Sequence, residues 1–332
     1  MAVTIEDIKK LRAMTGAGMK DCKKALAEAD GNIDKAVELV RERGLAIAAK
    51  RSDRETSNGC VLVKSSDNFA AIIGLKCETD FVANGADYIA LTQEILDAAV
   101  AAKAKTLDEV KNLKLADGNT VADAVTQRSG VVGEKMELDG YNVLEGSNIY
   151  TYDHMGRHTL CTLVKLTDAN EDAGHKVAMQ VAAMKPIALN EQSVSQEVKD
   201  EEFKVAVSKT KEEQVERQVN IALKKAGINS NLVDSDDHIE SNMAKGWLSE
   251  EDAKKAREIR ETVSATAVAN IKEEMVQNIA KGRMAKFFKE NCLVDQEFQF
   301  ADGDKITVSQ WLNQQSKGLQ VVDYKRYGLA AD

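Results

Sequence analysis

Twice along this chain an apolar run of strand length ends in Thr-Asp and gives way to helical periodicity. The first copy runs from Phe69 to Leu75, passes Lys76-Cys77-Glu78, and reaches Thr79-Asp80-Phe81-Val82-Ala83-Asn84. The second runs from Thr159 to Leu166, reaches Thr167-Asp168-Ala169-Asn170, and continues into a helix from His175 to Met184. Such a repeat predicts two related α+β halves in one core domain. The Thr-Asp pair is turn chemistry that both copies share. Only the first copy carries a phenylalanine after it, so Phe81 is the residue the shared fold does not require. Taken alone, the first hexapeptide reads as Asp80 capping a turn or helix while Phe81 packs in the core. An acid and an aromatic side by side at a strand end also suit reaching into another molecule.

The rest of the pattern arranges itself around this pair. A single proline, Pro186, and an aromatic content of 5% predict a helix-rich chain with a long regular segment. Residues 1–48 read as a three-helix module. Thr4 and Asp7 supply a start signal, Gly16-Ala17-Gly18 and Asp30-Gly31-Asn32 break the chain, and Gly44 ends the third helix. Residues 49–58 are charged and polar without periodicity, as in a linker. The first half of the core spans 59–145, with strands at Cys60–Val63 and Phe69–Leu75 and a helix from about Asp87 to Lys103. The second half spans 146–192 and 278–332, closing with strand-like Phe298 and Phe300, a helix over Val308–Gln315 and a strand over Gln320–Tyr324. Between these pieces, residues 193–277 form an inserted helical hairpin, a coiled coil in character. One arm carries Val215, Val219 and Leu223, and the other the ladder Ile259, Val263, Ala267, Ile271, Met275 and Ile279. The predicted fold class is therefore α+β.

Several chemistries are absent from the sequence. No Gly-x-x-x-x-Gly-Lys-Ser/Thr occurs, and no Gly-x-Gly-x-x-Gly follows a strand, so no phosphate cradle is written here. The four histidines, His154, His158, His175 and His238, lack cysteine or carboxylate companions at ligand spacing. No catalytic residue, cofactor or metal is expected. The five cysteines are odd in number and scattered, as reduced thiols of a cytoplasmic protein are. Met1 to Asp7 carries no secretory signal, and no apolar span reaches ~18 residues, so no membrane is expected. A formal net charge of −9 argues against nucleic acid as a direct ligand. Two functions fit: a factor acting on another protein through Phe81, and a helical scaffold that binds through the N-terminal module and self-associates through the hairpin.

Two stretches carry a resemblance that bears on this choice. Leu11-Arg12-Ala13-Met14-Thr15-Gly16-Ala17-Gly18-Met19-Lys20-Asp21-Cys22-Lys23-Lys24-Ala25-Leu26 resembles the N-terminal signature of the bacterial elongation factor Ts family. Cys77-Glu78-Thr79-Asp80-Phe81-Val82-Ala83-Asn84 resembles that family's core motif. Gly156-Arg157, Val181 to Pro186 and Lys281 to Phe288 match further, over nearly the whole chain. The resemblance implies a nucleotide exchange factor for elongation factor Tu, with an N-terminal module similar to a ubiquitin-associated domain. It assigns Thr79, Asp80, Phe81 and Val82 to the segment that dislocates magnesium in the partner. It assigns Arg12, Gly16, Gly18 and Met19 to docking on the GTPase domain. Where members commonly carry a histidine, this chain has Gln180, and the usual His near the Gly-Arg turn aligns only loosely with Tyr152 or His154. A second copy, as a homodimer or a 2:2 complex, stays among the open partners.

Overall fold

Thr4 starts the first helix through a capping box: its hydroxyl accepts from the Asp7 N–H at 3.1 Å, and the Asp7 carboxylate accepts from the Thr4 N–H at 3.2 Å. The computed structural model describes residues 3–329. Helices α1 (Ile5–Thr15), α2 (Met19–Glu28) and α3 (Ile33–Ala49) enclose a small core of Ile8, Leu11, Cys22, Ala25, Leu26, Ala36 and Val40. Gly44 was expected to end α3, yet the helix runs five residues further, to Ala49.

The first half of the core follows as β1 (Asn58–Ser66), β2 (Phe69–Cys77), the one-turn helix α4 (Asp80–Ala83), α5 (Ala86–Ala102), α6 (Leu107–Asn112), α7 (Val121–Val132) and β3 (Met136–Glu145). The second opens with β4 (Ile149–Asp153), β5 (Leu160–Leu166) and α8 (Glu171–Met184). Two antiparallel sheets result, in the orders β1-β2-β3 and β4-β5-β6, where β6 is Val321–Gly328 near the chain end. The run Ala70 to Leu75 is apolar at almost every position because β2 is buried on both faces. Cys60, Leu62, Ala71, Ile73 and Leu75 pack under α5, α6 and α7, and the alternate residues Val61, Ala70 and Ile72 meet Cys161 and Leu163 of β5. On the second sheet the Thr162 hydroxyl donates to the Ala178 carbonyl of α8 at 2.9 Å.

Two close approaches lock this unit. Gly44 explains its own place inside α3: it lies against Gly130 of α7, where a Cβ built on Gly130 would fall 2.2 Å from the Gly44 Cα. The three-helix module is thus seated on the first half of the core. On the first sheet, the Tyr327 ring of β6 fills the space above Gly74 and Gly140, whose added Cβ atoms would meet it at 2.2 and 2.1 Å. Its hydroxyl donates to Asp139 at 3.3 Å, and Asp139 also pairs with Lys76.

The two Thr-Asp copies differ more than the sequence repeat implies. In the first, Thr79 is the N-cap, so Asp80 and Phe81 lie in the first turn of a helix. In the second, Asn170 caps α8 and accepts from the Ala173 N–H at 3.0 Å, leaving Asp168 and Ala169 ahead of the helix. Phe81 and Ala169 therefore do not occupy equivalent sites. Phe298 and Phe300 form no strand either. The Phe298 N–H reaches the Ile306 carbonyl at 2.9 Å in a tight loop, and its ring lies 4.3 Å from that of Trp311 in the helix Val308–Gln315.

The chain divides into two units, one comprising residues 1–189 and 297–332 and the other 190–296. The second is helical throughout: α9 (Gln196–Lys225), α10 (Asp236–Ala244), α11 (Glu250–Ala269) and α12 (Glu273–Asn291). Its boundary falls beyond residue 277 because α12 continues unbroken to Asn291. Ser235 caps α10, whose first turn carries Asp236 and Asp237. The long ladder breaks at Ile271, which lies between helices. The side chains of Thr262, Thr266 and Asn270 each donate to a carbonyl four residues back, at 2.6, 2.8 and 2.9 Å, and compete with the backbone ladder there. After the break the buried face is Val276, Ala280 and Met284, one residue out of step with the expected Met275 and Ile279. A core of Val219, Leu223, Ile228, Val233, Ile239 and Ala256 gives this unit its own interior. Replacing residues 190–296 with a short Gly-Ser linker should leave the remaining chain with one cooperative melt. Loss of that transition would show that the helical unit supports the core.

Candidate functional site

The Thr79–Val82 segment stands on a rigid base. The Tyr88 hydroxyl donates to the Leu75 carbonyl at 2.7 Å, and the Cys77 thiol donates to the Thr79 carbonyl at 3.2 Å. Thr79 then starts α4, its hydroxyl facing the Val82 N–H at 3.5 Å, and the Asn84 amide donates to the Asp80 carbonyl at 2.9 Å. Ala83 is buried and Val82 is half-buried against the core of the first half. The i and i+1 positions of this short helix point the other way. Asp80 is exposed, and the Phe81 ring is 89% exposed, against 1% for Phe69 in the strand before it. A phenyl ring left in water forgoes ~2–3 kcal/mol of burial, available to whatever covers it.

Two carboxylates grip the base of this turn. Glu134 accepts from the Thr79 N–H at 3.0 Å and from the Thr79 hydroxyl at 2.6 Å. Glu78 accepts from the Lys135 N–H at 2.7 Å and from Arg51 at 3.0 Å, with Arg54 at 3.4 Å. The Lys135 N–H and the Arg51 guanidinium hold the Glu78 carboxyl below its ordinary value. Arg51 and Arg54 belong to the stretch expected to be a free linker, which is instead tied to the base of the exposed turn. Nothing in the local sequence pairs Glu78 with Glu134, which lie 56 positions apart. The one local signal for Glu134 was Gly133 before it, which ends α7 at φ 76° and turns the chain.

The N-terminal candidates lie at the turn between α1 and α2. Gly16 is the C-cap of α1 at φ 68°, and Gly18 is the N-cap of α2. Arg12 is exposed, and Met19 and the neighbouring Met14 are 40% and 55% exposed. This turn and the Thr79 segment are separate surfaces joined by α7. Gly16 lies against Arg128 and Val131 near the end of α7, and Glu134 just past that end holds Thr79.

In the second half, the Tyr152 hydroxyl and His154 Nδ1 are 3.2 Å apart, and the His175 ring meets Tyr152 edge-on at 5.4 Å. Gln180 is fully buried: its amide donates to the Glu297 carbonyl at 3.1 Å and accepts from the Gln299 N–H at 3.1 Å. It braces the returning chain and offers no surface for a partner. All five cysteines are free and buried. Burial pushes the Cys60 thiol up to about 12 and Cys292 to about 11, so neither presents a thiolate. Among the described residues no group of His, Cys, Asp and Glu could hold a metal ion, and no helix is long and apolar enough to cross a membrane.

The sequence pattern of the family described as Elongation factor TS matches residues 78–224 and 216–331. The protein named Elongation factor Ts of Phocaeicola vulgatus is 58% identical over 332 residues, covering all of both chains. That of Bacteroides fragilis is 60% identical over 333 residues, and that of Porphyromonas gingivalis 40% over 333, again at full coverage of both.

Proposed function

The chain belongs to the elongation factor Ts family of translation elongation factors, and from that premise we propose that it is a guanine nucleotide exchange factor for elongation factor Tu, the GTPase that delivers aminoacyl-tRNA. The observation that carries this reading is Phe81, an almost fully exposed ring on a braced strand end. A bound GDP on the partner is held by backbone donors and by a magnesium ion that demands near-ideal octahedral geometry at ~2.1 Å. A loop that supplies those ligands cannot shift by ~1 Å without losing them. Inserting the ring into an apolar slot beside that loop drives such a shift, and Asp80 offers a carboxylate to the backbone donors released.

Ring burial alone falls short. Raising GDP dissociation a thousandfold through affinity coupling takes ~4 kcal/mol, and GDP weakens partner binding by the same amount. The remainder comes from a wider interface, to which Arg12, Gly16, Gly18 and Met19 of the N-terminal module contribute affinity without touching nucleotide. The chain acts by binding and carries out no reaction of its own.

Release of a fluorescent GDP analogue from the cognate elongation factor Tu tests this directly. Release should accelerate with added chain and saturate. Unchanged release at saturating chain, or GTP hydrolysis by the chain alone, would sink the reading.

A further inference from the structure

We propose that Glu134 is a positioning residue for the Asp80-Phe81 wedge, acting with Glu78 as a reciprocal clamp; this rests on the exchange reading above. The clamp is built from two pairs of consecutive residues. The Glu134 carboxylate takes the N–H of Thr79 at 3.0 Å, and the Glu78 carboxylate takes the N–H of Lys135 at 2.7 Å. Residues 78–79 and 134–135 therefore hold each other, each pair giving one carboxylate and one backbone donor.

The wedge needs such a device because of its length. Helix α4 has four residues, and a single turn is far below the length at which a helix is stable in water. Its geometry must be imposed from its cap. Thr79 has one hydroxyl proton and two lone pairs. Glu134 takes the proton at 2.6 Å, which leaves a lone pair directed to the Val82 N–H. The carboxylate thus fixes the cap rotamer, the cap fixes α4, and α4 sets the direction in which Phe81 leaves the surface.

Glu134 is itself anchored. Ser129, buried in α7, donates to the Glu134 carbonyl at 2.5 Å, and the Gly133 N–H closes the helix on the Ser129 carbonyl at 2.9 Å. On the other side, Glu78 is paired with Arg51, two residues past the end of α3. The wedge direction is thereby referenced to α7 and to the segment leaving the N-terminal module. A clamp that served only stability would affect the fold and leave exchange per folded molecule alone. A clamp that aims the ring affects the limiting rate and leaves affinity nearly untouched, because the docking residues lie elsewhere.

The test compares the full-length wild-type chain with Glu134→Gln, Thr79→Val and the double variant. The readouts are the limiting rate of labelled GDP release from elongation factor Tu, the Kd for that partner, and the melting temperature. Glu134→Gln keeps the size and one acceptor but loses the charge and the second acceptor. Each single variant should lower the limiting rate about tenfold, the scale of one hydrogen bond to a charged group, with Kd changed less than about twofold. The double variant should be no slower than the slower single one, as expected for one shared interaction. An unchanged limiting rate in Glu134→Gln, multiplied losses in the double variant, or a lowered melting temperature with normal exchange per folded molecule overturns the clamp. A wild-type chain that fails to accelerate release overturns the exchange reading and the clamp with it. Wild-type acceleration with an unaffected Glu134→Gln overturns the clamp alone.

Discussion

Phe81→Ala should abolish most exchange while leaving the fold intact. With 89% of the ring exposed, its removal leaves no cavity, and the change in stability should stay within about 0.5 kcal/mol. A buried phenylalanine such as Phe69 would cost ~3–5 kcal/mol on the same substitution. The ~2–3 kcal/mol that the ring gains on burial in the partner corresponds to a fall in GDP-release rate of roughly thirtyfold or more. Asp80→Ala should show a milder defect, because it removes a carboxylate but leaves the wedge. Melting curves beside GDP-release rates separate the two roles. A destabilised Phe81→Ala with normal exchange per folded molecule returns the ring to the core.

The second large effect concerns the seat of the N-terminal module. At the α3–α7 crossing the two glycines are not equivalent. A Cβ on Gly44 would meet nothing nearer than 3.5 Å, whereas a Cβ on Gly130 would lie 2.2 Å from the Gly44 Cα and 2.4 Å from its carbonyl carbon. Backbone against backbone offers no rotamer to yield, so Gly130→Ala must push the helices apart. The strain should sit at the upper end of the ~1–3 kcal/mol typical of overpacking and exceed the ~1 kcal/mol gained in helix propensity. Gly44→Ala meets no clash and should be neutral or stabilising. We expect Gly130→Ala to lower the melting temperature, to open the stretch between α3 and β1 to limited proteolysis, and to weaken partner binding. Wild-type melting and proteolysis of Gly130→Ala would show that the crossing relaxes without cost.

What could be read beforehand depended on whether a residue's role was local. Thr4 with Asp7 and the apolar run of β2 are set by near neighbours, and the chain order displays them. Gly44 has the look of a helix end in local pattern, but its reason is Gly130, 86 positions away and silent there. Apolar spacing places Ile271 in a continuous ladder because it does not register the hydroxyl and amide groups that divert carbonyls beside it. The acid-aromatic pair stood out through the repeat, although Asn170 and Thr79 cap different positions. Glu78 and Glu134 were invisible as a pair, since each looks like any surface carboxylate until the turn after α7 folds back on the strand end.

The placement of Tyr327 sets a schedule for the nascent chain. The strand that carries it is made after residues 190–296, yet the first sheet needs its ring over Gly74 and Gly140. Residues 190–296 leave the ribosome earlier and have an interior of their own, so the insertion can be complete before its host. At ~5–20 residues per second, the interval between the end of α8 and the arrival of β6 lasts on the order of ten seconds. Throughout that time β5 has an open edge and the slot above the two glycines is empty. The period of greatest exposure to mispairing therefore coincides with the synthesis of the insertion, and it closes only when β6 arrives to fill the slot.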